Sequence, residues 1–154
     1  MLKVLRDTPL SEITLRRYEK PTKIENRDLV KKFCLSVGLL QPGDSRDVVV
    51  DVLEVLLKAK QDKKHLSSQD VTQKVTDQRK KMKLPIYGVA GSNIRRQLKR
   101  LRDLFLVEKV KNSYRVTEFD SLHNSFERRT EQFLLLSILE RTKEYAKALD
   151  ERYK

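Results

Sequence analysis

The sequence predicts a mostly α fold that carries a small β-hairpin. Apolar residues recur at helical spacing along most of the chain and alternate only near residues 106–119. Tryptophan is absent and glycine is limited to four residues. The charged fraction of 36% against 38% hydrophobic suits amphipathic helices around a modest core better than buried strands.

Ser11 to Lys20 reads as a short helix stopped by Pro21. Asn26 is placed to cap the next helix through its side-chain oxygen. Leu29, Val30, Phe33, Cys34 and Val37 share that helix's inner face, and Gly38 terminates it. Gln41-Pro42-Gly43 is a turn. A strong helix opens at Asp44-Ser45, where Val48, Val49, Val52, Leu53, Leu56 and Leu57 form a stripe wide enough to pack on two sides. The polar run Lys58 to Lys64 closes it. Leu66 falls in a short strand, and Ser67 with Asp70 makes a capping box for a helix reaching Lys81, thinly buried through Val71 and Val75. Leu84-Pro85-Ile86-Tyr87-Gly88 leads to a helix from Ser92 to Leu104. Two β runs, Leu106 to Lys111 and Tyr114 to Phe119, flank an Asn112-Ser113 turn, where Asn accepts a positive φ. From Ser121 onward the chain reads as one long helix. The organisation is therefore an N-terminal helical extension over 1–43, a central domain over 44–119 and a C-terminal helix over 120–154.

The order helix, short strand, helix, helix, hairpin resembles a winged helix-turn-helix, with extra N-terminal helices and a long C-terminal helix. Ser92 to Val107, followed by Tyr114-Arg115-Val116-Thr117, is similar to the recognition helix and wing of winged-helix transcription regulators. Leu66 to Val71 resembles the strand and second helix of that family. The likeness spans residues 45–118 and implies DNA binding. One position departs from it: many members carry Gly just before the leucine-valine that enters the wing, and here it is Phe105. Either the helix ends differently, or Phe105 belongs to the core face.

On a helical wheel Ile94, Leu98, Leu101 and Phe105 cluster within about 60°. The opposite face holds Ser92, Arg96, Lys99, Arg100 and Asp103. An apolar side that anchors the helix leaves a cationic side free to enter a major groove. Arg pairs bidentately with guanine and Asn with adenine, so Arg96, Arg100 and Asn93 are the expected base contacts. Ser92, with the first-turn amides, suits a phosphate, and Arg95, Lys99 and Arg102 suit the backbone. In the wing, Lys109, Lys111 and Arg115 are placed for backbone contact; a hairpin that only closes the core is the competing reading. The competing reading of the helix is a solvated basic face.

The net charge of +12, at a pI near 9.9, favours a polyanionic partner, and double-stranded DNA is the expected one. Phe133 to Leu139 is apolar almost all the way round, and Tyr145, Ala146, Leu149 and Tyr153 prolong it. Such a helix needs burial on two sides, which predicts a homodimer through Phe133, Leu134, Leu135, Ile138, Leu139, Tyr145 and Leu149. The alternative is cover by the N-terminal helices. The expected function is sequence-specific DNA binding as a homodimeric regulator. A protein-docking module and a non-specific chromatin-type protein are the alternatives.

Enzymatic chemistry is not expected. His65 and His123 stand far apart, neither at metal-ligand spacing with Cys34, and no phosphate-cradling glycine loop occurs. No cofactor and no small-molecule ligand is implied. The lone Cys34 reads as a small core residue in a reducing, cytoplasmic and nucleoid-associated setting. The opening Met1 to Asp7 lacks the apolar core of a signal peptide, and no run reaches the roughly 18 apolar residues of a membrane span.

Overall fold

The structure, a computed structural model, describes residues 6–154, so most of the Met1 to Asp7 segment lies outside it. Helices α1 (Asn26–Ser36), α2 (Val48–Gln61), α3 (Ser68–Lys81) and α4 (Gly91–Asp103) build the body. Strands β1 (Leu66–Ser67), β2 (Val107–Val110) and β3 (Ser113–Val116) form an antiparallel sheet in the order β1-β3-β2. A last helix, α5, runs through residues 122–152: α-helical over Leu122–Ser125, π-helical over Phe126–Leu135 and α-helical over Leu136–Arg152. The expected mostly α fold with a small sheet is what forms.

α2 is the centre of the core. Val48, Val49, Val50, Val52, Leu53, Val55 and Leu56 are all buried, packed against α1, α3, α4 and β3. β-branched residues are weak helix formers, costing a few tenths of a kcal/mol each. Burying each side chain contributes about 1.5–3 kcal/mol, so packing overrides propensity. The stripe foreseen as two-sided closes almost completely round the helix.

Charge also crosses this core. Asp51 on α2 is fully buried and accepts from Arg27 on α1 at 2.7 Å, from Gln78 on α3 at 2.9 Å, and from Arg79 on α3. Asp47 accepts from the same two arginines at 2.9 and 3.1 Å. Arg79 further donates to the Pro85 carbonyl at 2.8 Å. Two cations and two anions thus neutralise each other while tying α1, α2, α3 and the 84–88 connector together.

Four local expectations are corrected. Ser11 to Lys20 is extended rather than helical: the Arg16 amide donates to the Ser36 carbonyl, and its guanidinium reaches the carbonyls of Leu35 and Leu40. Those contacts satisfy the C-terminal end of α1, whose free carbonyls outcompete a short isolated helix. Asn26 lies inside the first turn of α1, with Glu25 at the cap position. α2 starts at Val48 instead of Asp44: the Asp44 amide closes a turn on the Gln41 carbonyl, the Asp44 carboxylate takes the Arg46 amide, and Asp47 at the cap position gives its carboxylate to the two arginines instead of a cap bond. The hairpin turn is Lys111-Asn112, one residue earlier than expected, since Val110 pairs with Ser113. That register turns Tyr114 and Val116 inward, and a one-residue slip would expose both.

The capping box at Ser67 and Asp70 forms as foreseen, with bonds of 3.1 and 3.2 Å. Phe105 resolves the alternative left open above by taking the glycine's part. It adopts φ +63°, its amide donates to the Arg102 carbonyl, and the Leu106 amide reaches back to the Leu101 carbonyl, which ends α4. Its ring packs edge-on against Phe133 of α5 at 5.7 Å between centroids.

Candidate nucleic-acid interface

α4 is held by one side only. Ile94, Leu98 and Leu101 are completely buried, and truncation of any of them to Ala costs about 2–5 kcal/mol in such a site. Ser92, Arg95, Arg96, Lys99 and Arg102 are exposed on the other side. No acidic residue occupies the first turn, so the free amides at the N-terminal end carry their partial positive charge unopposed. Lys99 meets Asp103 at 3.1 Å, but both are more than 60% exposed, and a solvated pair of this kind adds little.

The three expected base-contact residues do not stand alike. Arg96 is exposed. Asn93 is half-buried and occupied: its amide donates to the Gly88 carbonyl at 2.7 Å, and its side-chain oxygen accepts from Gln97 at 3.1 Å. It pins the connector ahead of α4. Gly88 at φ +72° permits that approach, since an added Cβ would stand 3.0 Å from the Asn93 amide and 3.2 Å from Val48. Arg100 is likewise engaged, donating to the Leu39 carbonyl at 2.7 Å and to Gln97 at 2.8 Å. It fastens α4 to the turn after α1, so its guanidinium is held by the chain's own groups rather than projecting free. On a wheel the outward position of Arg100 is correct; the 38–39 turn that folds over it is a tertiary fact invisible to periodicity.

Beside Arg96 runs a groove of about 870 Å³ between α4, the start of α2 and the connector, lined also by Arg46, Tyr87 and Asn93. Arg46 and Tyr87 are exposed, and sequence reasoning missed both. Tyr87 lies in a segment read as a linker, and Arg46 in the expected first turn of α2, which in fact begins at Val48. The available signal was compositional: an aromatic in the connector that leads to α4.

In the hairpin, Lys109 and Lys111 are exposed, and Lys109 stands 5.7 Å over the Tyr114 ring. Arg115 is turned to the chain itself, bonding Glu108 at 2.7–2.8 Å and covering the Phe119 ring at 4.9 Å. In the free chain it thus braces the hairpin. Burial alone would raise the Glu108 carboxyl, yet the Glu118 amide at 3.0 Å and the Arg115 guanidinium outweigh it and hold the group below the usual carboxylate range.

The residues expected to pair two copies also divide. Leu134 faces its own core at 9% exposure, which removes it from a second-chain contact. Thr130 anchors the same side through the Leu104 carbonyl at 2.7 Å. Leu135 and Ile138 are half-buried, while Phe133, Leu139, Tyr145 and Leu149 are exposed. No residue of Leu136–Arg152 is buried, so the described N-terminal segments do not cover that stretch.

Among the described residues, no cluster of His, Cys, Asp and Glu suits a metal ion, and no helix is long and apolar enough to cross a membrane. Neither a protein-family model, nor a curated protein, nor a solved structure matches the chain.

Proposed function

We propose that this chain is a winged-helix protein that binds double-stranded DNA as a homodimer, with α4 as the helix that enters the major groove. The observation that carries this reading is the two-sidedness of α4: three fully buried aliphatic residues fix it, and Arg95, Arg96, Lys99 and Arg102 project from its exposed side. A net charge of +12 supplies the attraction. Arg96 is the base-reading residue. Ser92, Arg95, Lys99, Arg102, Lys109 and Lys111 meet phosphates, joined by Arg46 at the edge of the groove. Phe133, Leu139, Tyr145 and Leu149 supply the exposed contact to a second copy. The activity is recognition without catalysis, in a regulator of transcription.

Selection from a random duplex pool, followed by anisotropy titration at several salt concentrations, tests it. A recovered consensus, with affinity falling steeply as salt rises, is the expected result. Arg96→Ala should lower discrimination between consensus and random duplex by about 1–3 kcal/mol, whereas Lys109→Ala should weaken both equally. Absence of binding to any duplex at low salt would overturn the proposal.

A further inference from the structure

Among the described residues, two apolar surfaces lie unpartnered, and they join. The first is the stripe along the end of α5. Leu135, Thr142 and Leu149 recur at intervals of seven, as do Ile138 and Tyr145, and again Leu139, Ala146 and Tyr153. The second is a groove of about 650 Å³ between the N-terminal arm, α1, α2 and the start of α5, walled by Leu29, Phe33, Leu57, Leu122 and Phe126. The π-helical segment connects them. Its hydrogen bonds span five residues, so side chains four apart stay nearly in line. The groove-side row His123, Glu127 and Glu131 therefore continues into Leu135 and Leu139.

We propose that this groove receives the C-terminal half of α5 from a second copy, laid antiparallel about a twofold axis at Ile138. The inference rests on the dimer reading above and deepens it by naming the seat. With Ile138 opposite its copy, residues equally distant from it face one another: Tyr145 comes to Glu131, Leu149 to Glu127 and neighbouring Phe126, and Tyr153 to His123 and Leu122. A parallel pairing would bury the two stripes but leave both grooves open to water. The antiparallel one covers stripe and groove together in a single isologous contact. Charge agrees with it. Lys143, Lys147 and Arg152 flank the stripe beside Asp150, with Arg141 paired to Glu144 of its own helix at 2.7 Å, while the carboxylates Glu127 and Glu131 stand at the groove, where Arg16 is already engaged by the carbonyls of Leu35 and Leu40.

A spin label on Arg152→Cys reads the direction of pairing, because the native thiol at Cys34 is completely buried. The antiparallel arrangement places the two labels roughly 40 Å apart along the helix axes, at about 1.5 Å per residue. Parallel helices would hold them roughly 10–15 Å apart, near the interaxial distance. Leu29→Glu is the second arm. Leu29 lines the groove, is 43% exposed and is not part of the stripe, so this change should convert dimer to monomer by light scattering while far-UV circular dichroism is unchanged. Leu29→Met should remain dimeric. A wild-type protein that is monomeric at every concentration overturns both the dimer and this seat. A dimer with the short separation, or one indifferent to Leu29→Glu, overturns the seat alone. So does a monomer that retains a small apolar molecule in native mass spectrometry, which would give the groove to a ligand.

Discussion

Asp51 is the residue on which the interior depends most. It is completely buried and receives two guanidinium groups and one amide. Removing one partner from such a network leaves uncompensated buried charge, which costs about 3–5 kcal/mol. Asp51→Ala should therefore shift the urea midpoint far down, whereas exposed Arg96→Ala should stay within about 0.5 kcal/mol of wild type. Equal stability of the two variants would mean that water reaches the cluster and relieves it. Cys34 gives a residue-scale prediction in pH. Burial pushes its thiol from 9.0 up to about 12. The unfolded chain releases this proton near pH 9 while the folded one keeps it, so the folded state binds more protons between those values. Its contribution is complete below pH 9 and is lost as pH rises toward 12. Stability measured from pH 8 to 11 should accordingly fall more steeply for wild type than for Cys34→Ala; parallel curves would show that the buried thiol is not a linked group.

At the scale of the element, the helix ends explain both how this chain folds and why part of it was hard to read. α1, α2, α3 and α4 all close the same way: a left-handed residue follows the cap, and the next amide reaches back into the last turn. The left-handed residues are Gly38, Lys63, Lys83 and Phe105, with φ between +51° and +76°. The returning amides are those of Leu39, Lys64, Leu84 and Leu106. Only Gly38 advertises this in the sequence. Accordingly the end of α1 was legible, as were the Ser67-Asp70 start of α3 and the apolar faces of α2 and α4, each set by local spacing. The start of α2, the extended arm at Ser11 to Lys20 and the tie of Arg100 to Leu39 depend on groups distant in sequence, which no local pattern contains; the ties of Asn93 to Gly88 and Arg115 to Glu108 are short in sequence but depend on how the connector and hairpin fold. A non-glycine residue in this conformation costs about 1–2 kcal/mol, partly regained through a less flexible unfolded chain. Lys63→Gly and Lys83→Gly, both at exposed positions, should each stabilise the fold by about 0.5–1 kcal/mol in thermal unfolding. Gly38→Ala should do the reverse and release the arm, because its Cβ would stand 2.6 Å from the Thr14 Cβ. A neutral result at Lys63 and Lys83 would indicate that the denatured-state entropy of the new glycine cancels the relief.

For the whole molecule, pairing and DNA binding become one thermodynamic question under the proposed function. A single α4 and hairpin offer a handful of cations, and each neutralised phosphate contributes about −0.9 to the slope of log affinity against log salt. Two copies on one duplex double the contacts and therefore the slope. Leu149 is 58% exposed at the far end of α5, remote from α4 and the hairpin. Leu149→Glu should thus separate the copies without touching the cationic face or the core. The variant's salt slope should drop to about half that of wild type, and its affinity for a two-half-site duplex should fall to near that for a single half-site. Changing the spacing between half-sites should penalise wild type and leave the variant indifferent, since only a rigid pair measures the roughly 34 Å of one helical turn. If Leu149→Glu gives monomers whose slope and spacing response match wild type, each copy binds alone and dimerisation serves some other purpose. If it remains dimeric, the end of α5 is not where the copies meet, and the contact must be sought along Phe133 and Leu139 instead.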